Sequence, residues 1–375
     1  MNVSKVREWF PITDDYVYMN VANHGPPSLP VQDAVRGFLD DWDRLGRHGD
    51  RRVVEACERF AKLVHAEPDE VCAQPNTSMG LTAVAETLKW EAGMNVVTDD
   101  LENPANLYPW MAQRRKGVEL RVVRGVEGEV RLEDIEEAVD DDTRAVAISH
   151  VQWLTGARSD LRTLSGICHD YGAYLVVDGI QAAGSLAVDV HRDDVDFYAC
   201  GSYKWLLGPS GAGFLYVRDE IVESLEPPFF GYRGVSGRGV EGVEYKPNAK
   251  RMELGEPSYL SFVGTMAGMG MFLELGSEEI EDRVLKLSGM LHEGLRGLGV
   301  EMVSPSDEGL RSGVVSFSVG EDGALRDSLA SAGFVVSMRA AGIRVSADFY
   351  NTEDEVERLL GIVEGFISER SSSPA

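Results

Sequence analysis

The residues best suited to chemistry lie between positions 174 and 205. An apolar run, Tyr-Leu-Val-Val at 174–177, ends in Asp178, and Gln181 follows three residues later. Further along, the run Phe-Tyr-Ala-Cys-Gly-Ser-Tyr-Lys-Trp at 197–205 places Lys204 between two aromatic residues. Lysine is seldom fully buried, and burial lowers the pKa of its amine, which makes the amine a usable nucleophile. A lysine that forms a Schiff base with a carbonyl compound needs this environment.

Each of these two residues also has a purely structural explanation. Asp178 can cap the turn that follows its strand, which is a frequent use of aspartate. Lys204 can pack its stem in a groove and extend its amine into solvent. Their order and spacing, with Gln181 between them, are hard to obtain by accident. The combination therefore favours one shared site.

Several common catalytic motifs are not found. The sequence has no Walker A loop and no H-E-x-x-H, and Gly-Pro-Ser-Gly-Ala at 208–212 departs from G-x-S-x-G at its fifth residue. The 7 histidines are scattered and do not show the spacing of a zinc cluster. We therefore expect no metal site.

The elements that position Asp178 and Lys204 alternate between helical and strand patterns. Apolar strands are predicted at 95–98, 120–123, 145–150, 174–177 and 213–217, and helices at 31–45, 53–65, 78–90, 132–139 and 161–171. A break at His48-Gly49-Asp50 separates the first two helices. This alternation predicts an α/β fold of the three-layer type, with a mostly parallel sheet covered on both faces. In such sheets, ligands bind at the carboxyl ends of the strands.

The last third of the chain has a different order of predicted helices and strands. Helices are predicted at 262–275, 285–298, 325–332 and 353–369, and strands at 313–319, 334–338 and 343–346. This pattern indicates a small α+β domain. We therefore predict a large domain at 16–260 and a small C-terminal domain at 261–370, on which the segment 1–15 packs.

Charge and cysteine content restrict the partners and the compartment. The 375-residue chain has a formal net charge of −26, and its acidic residues are dispersed. Such a surface repels phosphates, so we expect neither nucleic acid nor an anionic membrane as a partner. The first ten residues lack the apolar core of a signal peptide, and no apolar run reaches transmembrane length. Four cysteines without a C-x-x-C pair favour a cytoplasmic location, although the acidic surface also suits adaptation to high salt.

Motifs similar to those of a known family run along nearly the whole chain. They are Asn-Thr-Ser-Met-Gly at 76–80, Glu-Asn-Pro-Ala-Asn-Leu-Tyr-Pro-Trp at 102–110, Ser-His-Val-Gln-Trp at 149–153, Val-Asp-Gly-Ile-Gln at 177–181, Gly-Ser-Tyr-Lys-Trp at 201–205 and Ile-Arg-Val-Ser-Ala-Asp-Phe-Tyr-Asn-Thr at 343–352. As a set they resemble the class V aminotransferase family of fold-type-I pyridoxal-phosphate enzymes. Within that family, the chain looks like the group of cysteine desulfurases and isopenicillin N epimerase-like proteins.

This resemblance implies that the cofactor is pyridoxal 5'-phosphate. Lys204 is expected to hold the cofactor covalently and to move the Cα proton of the substrate. Asp178 is expected to pair with the protonated pyridine nitrogen, which keeps the ring an electron sink. Gln181 is expected to form a hydrogen bond with the ring hydroxyl. Lys204 and Asp178 are therefore the implied catalytic residues.

The resemblance also implies a phosphate site. Thr77 and Ser78 open a helix and are expected to hold the phosphate with their hydroxyls and backbone N–H groups, since a helix N-terminus suits an anion. Plain helix capping is the alternative explanation for both residues. Ser202 is expected to contact the same phosphate. Tyr203 occupies a cofactor-binding position where desulfurases have a histidine.

Two arginines near the C-terminus match the substrate site of the family. Arg344 corresponds to the arginine that binds the substrate carboxylate, for which a planar guanidinium is suited. Arg339 is a possible second contact, and a surface position in a strand is the alternative for either residue. The implied partners are an amino acid or oxo acid and a second copy of the chain. A homodimer follows because the loop around Gly255 serves the cofactor of the other subunit in this family.

The chain departs from the family pattern at several cofactor positions. Asn103 stands where an aromatic or histidine ring usually stacks on the cofactor, and Trp153 stands where desulfurases usually have an asparagine. The family loop Gly-Thr-Pro reads Gly-Glu-Pro at 255–257, and a glutamate facing a phosphate would repel it. We keep Asn103 and Trp153 as expected cofactor contacts.

The cysteines also depart from the desulfurase pattern. Desulfurases carry a catalytic cysteine on a loop between the two arginines, but only 340–343 separates Arg339 from Arg344 here, and no cysteine follows Cys200. This argues against a persulfide-forming desulfurase. Cys200 itself either approaches the site or is an inert buried thiol.

The sequence therefore predicts an enzyme that uses pyridoxal phosphate to transform an amino acid. An aminotransferase is the simplest form. A lyase or an epimerase with the same cofactor is the first alternative. A binding protein that has lost full catalysis is the second, and it is motivated by Asn103 and Glu256.

Overall fold

The structure is a computed structural model that describes residues 1–45, 50–237, 239 and 241–371. The predicted helix break at 48–49 lies outside these residues. The strands, in chain order, are β1 (Val17–Tyr18), β2 (Val71–Gln74), β3 (Asn95–Asp99), β4 (Glu119–Val123), β5 (Thr143–Ser149), β6 (Tyr174–Asp178), β7 (Phe197–Gly201), β8 (Gly213–Val217), β9 (Val235–Ser236), β10 (Glu244–Tyr245), β11 (Glu301–Met302), β12 (Val314–Ser318), β13 (Phe334–Val335), β14 (Ser337–Arg339) and β15 (Gly342–Ser346).

The helices lie between and around these strands. They are α1 (Val3–Arg7), α2 (Ile12–Asp15), α3 (Leu29–Leu45), α4 (Asp50–Leu63), α5 (Thr77–Thr87), α6 (Pro104–Gln113), α7 (Leu132–Ala138), α8 (Leu161–Asp170), α9 (Asp219–Val222), α10 (Tyr259–Leu275), α11 (Ser277–Gly297), α12 (Asp322–Ser331) and α13 (Glu353–Ser371). Among the described residues, no helix combines the length and apolar character needed to cross a membrane.

A seven-stranded sheet with the order β2-β8-β7-β6-β5-β3-β4 forms the centre of the large domain. The pairs β7-β6, β6-β5, β5-β3 and β3-β4 are parallel, whereas β8 is antiparallel to both of its neighbours. The carboxyl ends of β3, β5, β6 and β7 therefore meet at one edge of the sheet. Ligands are expected at such an edge.

Both faces of this sheet are buried, which explains its nearly continuous apolar strands. Successive side chains of a strand point to opposite faces. On β5, Val146 and Ile148 pack into one core, and Ala145 and Ala147 pack into the other. Helices therefore cover the sheet on each side. The predicted three-layer α/β fold with a mainly parallel sheet is confirmed.

The C-terminal part of the chain forms a second core. An antiparallel sheet with the order β11-β12-β15-β14 packs with α11, α12 and α13. The predicted strand at 334–338 is two short strands in the structure. β13 pairs with β1 in one sheet and β14 pairs with β15 in another, because the chain changes partner between them.

The N-terminal segment contacts the C-terminal part of the chain, and Phe10 and Tyr350 both belong to the core of the large domain. The ring of Phe10 lies 4.5 Å from that of Tyr350, and the guanidinium of Arg7 lies 2.8 Å from the carboxylate of Glu355. Helix α10, by contrast, packs against α3 and α4 of the large domain. The proposed division at residue 260 stays a prediction, and α10 is the element on which it depends.

Candidate active site

A cavity opens at the edge where the parallel strands end. β5 ends at Ser149, β6 ends at Asp178, and their Cα atoms are partners in the strand register. The chain leaving β7 reaches Lys204 after three residues. The residues that line the cavity come from five separate segments of the chain and are Asn76, Thr77, Ser78, Asn103, Ala105, Ser149, Val151, Trp153, Asp178, Ile180, Gln181, Tyr203 and Lys204.

Asp178 and Lys204 both line this cavity, and their charges act on each other. Burial raises the pKa of Asp178 to about 6, although the backbone N–H of Ile180 and the charge of Lys204 both favour its ionised form. Burial lowers the pKa of Lys204 to about 8, and the charge of Arg344 lowers it further, whereas Asp178 opposes this shift. At neutral pH the carboxylate is therefore charged, and a usable fraction of the lysine is a neutral amine.

A helix N-terminus also forms part of the cavity wall. The side chain of Asn76 caps α5 by accepting a hydrogen bond from the amide of Met79. The first amides of a helix have no acceptor within the helix, so those of Thr77 and Ser78 can bind an anion. The Thr77 hydroxyl already accepts a hydrogen bond from the amide of Gly201 at 2.8 Å.

Gln181 is held rigidly at the cavity wall. Its amide nitrogen donates to the carbonyl of Ala22 at 3.0 Å, and its oxygen accepts from the indole of Trp205 at 2.8 Å. One amide hydrogen of Gln181 is left for a ligand. The predicted contact with a ring hydroxyl therefore stays a prediction that the hydrogen-bond capacity of Gln181 permits.

Tyr203 and Asn103, both predicted to contact the cofactor, line the cavity with side chains that already contact other residues. The ring of Tyr203 lies 5.5 Å from that of His24 and 5.7 Å from the Lys204 amine. The amide oxygen of Asn103 accepts from Ala105 at 3.0 Å and caps α6. Asn103 is therefore fixed by its cap, and a small amide stands where a stacking ring was expected.

Ser202 does not line the cavity. Its buried hydroxyl lies 2.7 Å from the carbonyl oxygen of Pro209 and 2.9 Å from that of Ala212. The hydroxyl group has one hydrogen, which it donates to one of these two carbonyl oxygens. The contact of Ser202 with a phosphate stays a prediction. The position of the Ser202 side chain does not support it.

The two predicted arginines lie beyond the cavity lining. Arg344 is 2% exposed and donates to the carbonyl of Trp153 at 2.6 Å, which links it to a cavity residue. Arg339 donates to the side-chain oxygen of Asn23 at 2.8 Å. Among the described residues, neither guanidinium has a carboxylate within ion-pair distance. Burial and the neighbouring charge of Arg339 lower the pKa of Arg344 to about 10.

The sequence prediction missed Ser149 as a cavity residue. Ser149 is 3% exposed, and its hydroxyl donates to the carboxylate of Glu102 at 2.6 Å. Ser149 could have been recognised from the sequence because it is the first residue of the motif Ser-His-Val-Gln-Trp and ends β5. Asn76, which the same reasoning quoted only as part of a motif, also lines the cavity.

Cys200 is a buried thiol that does not line the cavity, although the charges of Asp178 and Lys204 act on it. It belongs to the core beneath the sheet, and burial raises its pKa well above the usual value. Its sulfur lies 3.4 Å from the carbonyl oxygen of Gly201. A buried thiol that is not part of the cavity lining matches the second of the two alternatives given for Cys200.

The residues present fit pyridoxal phosphate. Among the described residues, one carboxylate oxygen of Asp178 has no protein donor, and the first amides of α5 have no acceptor within their helix. Lys204 lines the same cavity. Pyridoxal phosphate, which has a ring nitrogen that can be protonated, an aldehyde and a phosphate, offers one group to match each of them.

Comparisons with known proteins identify the family of this chain. The model of the family described as aminotransferase class-V matches residues 42–359. The probable cysteine desulfurase of Methanothermobacter thermautotrophicus is 31% identical over 332 residues, which cover 85% of this chain and 82% of that protein. The uncharacterized aminotransferase YcbU of Bacillus subtilis is 29% identical over 366 residues, covering 94% of this chain and 95% of YcbU.

A solved structure shows the same fold over the whole length. The apo structure of a cysteine desulfurase from Thermococcus onnurineus has a TM-score of 0.89 and 27% identity, and the match covers 98% of each chain. The family model spans well over half of the present sequence. The chain therefore belongs to the class-V aminotransferase family, whose typical cofactor is pyridoxal phosphate.

Proposed function

We propose that this chain is a pyridoxal-phosphate enzyme that acts on an amino acid, most simply as an aminotransferase. The observation that carries the proposal is Arg344, a buried cation without an ion-pair partner among the described residues, whose charge acts on Lys204. Burying an uncompensated charge is costly. A ligand carboxylate near Lys204 offsets this cost, and both amino acids and oxo acids carry one.

The side chains of the cavity then have defined tasks. Bound pyridoxal phosphate supplies an electron sink for the bonds at the substrate Cα. Lys204, with its pKa near 8, holds the cofactor and takes or returns the Cα proton. Asp178 holds a negative charge at the ring-nitrogen end, and the amides of Thr77 and Ser78 bind the phosphate.

The relatives named as cysteine desulfurases suggest a different reaction, which needs a reactive thiolate. The four cysteines of this chain are all buried, and none of them lines the cavity. Burial raises the pKa of each thiol above its ordinary value. We therefore propose that the chain does not form a protein persulfide.

The deciding experiment adds amino acids one at a time to the purified protein loaded with pyridoxal phosphate. Stoichiometric conversion of the cofactor to pyridoxamine phosphate supports the aminotransferase. Release of ammonia or sulfide without an oxo acid acceptor, or loss of the Cα stereochemistry, supports the lyase or the epimerase. A loaded protein whose spectrum responds to none of the amino acids supports the binding protein.

Two variants control this experiment. Lys204→Ala removes covalent attachment and is expected to abolish the conversion, with no label on position 204 after borohydride reduction. Cys200→Ser is expected to leave the activity unchanged because the thiol is buried and outside the cavity. Loss of sulfur transfer in Cys200→Ser would contradict the exclusion of a desulfurase.

We also propose a homodimer that completes the site. The loop at 253–258 is next to an apolar cavity that Met79 and Leu254 line, and both side chains are exposed in the single chain, at 39% and 42%. Met79 is two residues from Thr77, so this surface adjoins the phosphate end of the site. Analytical ultracentrifugation of Leu254→Asp is expected to show more monomer and weaker cofactor retention than the wild type.

A further inference from the structure

Arg339 and Arg344 lie on neighbouring strands of the C-terminal sheet. β14 and β15 are antiparallel, and their register places Ser337 opposite Arg344. Side chains two residues apart on a strand share a face, so Arg339 is a diagonal neighbour of Arg344 on the face that carries Ser337. Long side chains in such positions reach each other. Burial lowers the pKa of Arg344 to about 10, and the charge of Arg339 lowers it further, which agrees with this proximity.

The groups that bind the two guanidiniums are all neutral. Arg344 donates to the carbonyl of Trp153 at 2.6 Å and to the hydroxyl of Ser337 at 3.4 Å. Arg339 donates to the side-chain oxygen of Asn23 at 2.8 Å and to the preceding backbone carbonyl at 3.3 Å. The Nε atom of each arginine is buried and has no hydrogen-bond partner among the described residues. Each side chain therefore retains donor capacity for a ligand.

Both arginines are attached to residues at the cavity. Trp153, whose carbonyl accepts from Arg344, lines the cavity. Arg339 binds the first residue of the segment 23–25, which contacts Tyr203 of the cavity wall. The histidine ring of this segment lies 5.5 Å from the Tyr203 ring, and its glycine amide donates to the Tyr203 carbonyl at 2.8 Å. Both guanidinium groups are therefore held close to the cavity.

The charges at this place do not balance. Burial lowers the pKa of Lys204 to about 8, and the charges of Arg344 and Arg339 lower it further, whereas Asp178 acts against the shift. In the proposed function, Asp178 pairs with the cofactor ring and the amides of α5 bind the phosphate. One substrate carboxylate then compensates one guanidinium, and the other stays uncompensated. Arg339 is half-buried, so a second negative group on the substrate stabilises the complex by pairing with it.

We propose that the substrate is an amino acid whose side chain ends in a second carboxylate, of the aspartate or glutamate kind, and that Arg339 selects it. The inference rests on the proposed function and names the substrate class of that same site. Arg344 binds the α-carboxylate, and Arg339 binds the side-chain carboxylate with its paired N–H groups. Asn23 orients the guanidinium of Arg339 through Nη2 and leaves Nε for the ligand.

The first test measures ligand binding, not activity, on protein loaded with pyridoxal phosphate. Calorimetry compares glutarate with its monoamide glutaramate, and succinate with succinamate, because each pair has the same length and differs by one carboxylate. At least one dicarboxylate is expected to bind about 10-fold to 100-fold more tightly than its monoamide, as hydrogen bonds to a charged group predict. Equal affinities within both pairs overturn the inference, and this comparison needs no variant.

Variants then assign the preference to Arg339. Arg339→Gln removes the charge and is expected to abolish the preference for the dicarboxylate, while the monoamide binds as in the wild type. Arg344→Gln is expected to weaken the binding of both members of a pair. Arg326→Gln is the matched control, because this exposed arginine of α12 pairs with Asp327 and its loss should leave the preference unchanged. A preference that survives in Arg339→Gln overturns the role of Arg339.

Absorbance titrations with amino acids separate this inference from the proposed function. In the loaded wild type, aspartate or glutamate is expected to change the cofactor spectrum at concentrations about 10-fold to 100-fold lower than asparagine or glutamine. Responses to the amides at equal concentrations overturn the inference and leave the proposed function intact. A protein that prefers dicarboxylates, and whose spectrum responds to no amino acid, supports the ligand class and counts against the proposed function alone.

Discussion

At the scale of single residues, the site combines a lysine whose pKa is lowered with an arginine that has no ion-pair partner among the described residues. Lys204 has a lowered pKa because it is buried and because Arg344 places a second positive charge near it. The same arginine has no ion-pair partner among the described side chains and donates to the carbonyl of Trp153. We therefore expect two separable effects of Arg344, one on the reactivity of Lys204 and one on the binding of a substrate carboxylate.

The effect on Lys204 predicts a pH dependence of cofactor attachment. Only the neutral amine attacks an aldehyde, so the attachment rate should rise with pH and level off above the Lys204 pKa of about 8. Arg344→Met removes a positive charge, which raises that pKa and moves the midpoint to higher pH. Stopped-flow absorbance after pyridoxal phosphate is added to the cofactor-free protein measures both curves. An identical midpoint in the two proteins would show that Arg344 does not act on Lys204.

The effect on the substrate predicts a change in KM. A guanidinium binds a carboxylate through two charge-assisted hydrogen bonds, and Arg344→Lys keeps the charge but not the paired geometry. We expect KM for amino acids to rise by about 10-fold to 100-fold, because such a hydrogen bond contributes about 1.5–3 kcal/mol. An amine substrate without a carboxylate serves as the control and should show an unchanged KM. A similar rise for both substrates would place Arg344 outside the carboxylate site.

At the scale of elements, the strand ends hold the catalytic groups in place. Asp178 is the last residue of β6, and Gly179 follows in close contact with the ring of Tyr198 from β7. A Cβ at position 179 would lie 2.0 Å from a ring carbon of Tyr198. The absence of a side chain at position 179 therefore allows β6 and β7 to approach where Asp178 enters the cavity.

This contact predicts the effect of Gly179→Ala. The added methyl group forces β6 and Tyr198 apart, and overpacking of this kind costs about 1–3 kcal/mol. We expect a lower Tm and weaker cofactor retention, measured by thermal unfolding and by absorbance after dialysis. Gly361→Ala is the matched control, because position 361 lies within α13 and has open space around its Cβ. That variant should be more stable by about 0.5–1 kcal/mol.

At the scale of the whole molecule, negative charges greatly outnumber positive ones. The chain has 62 acidic and 36 basic residues, so the formal charge is −26. Many side chains form exposed ion pairs, such as Arg36 with Asp33, each of which contributes about 0–1 kcal/mol. The excess of acids leaves a net repulsion that opposes the compact state.

This balance predicts that salt stabilises the protein. Because added salt screens the net repulsion over about one Debye length, we expect Tm to rise between low salt and 1 M NaCl. The measurement is calorimetry at constant pH, with sucrose of equal osmolarity as the control for solvent effects. A Tm that falls with salt would mean that the local ion pairs outweigh the net charge.

The sequence by itself determined the layered fold and the central residues of the site. Apolar strands and alternating helices depend on local periodicity, so β3, β4, β5, β6 and β8 were predicted to within a few residues. Lys204 and Asp178 were identified because buried charged residues in apolar runs are rare. The cavity is also lined by Thr77, Ser78, Gln181, Tyr203, Trp153 and Asn103, whose contacts with a cofactor stay predictions.

Only the tertiary structure decided how these residues are connected. The donors around Glu102 come from α6, from the last residue of β5 and from the chain just after it, so their meeting depends on strand order rather than on local spacing. Ser202 turns away from the cavity because the nearby carbonyls of Pro209 and Ala212 bind its hydroxyl. Arg344 reaches the site through Trp153, nearly two hundred residues earlier in the chain. Such contacts join segments that are distant in sequence, and hydrophobic periodicity carries no information about them.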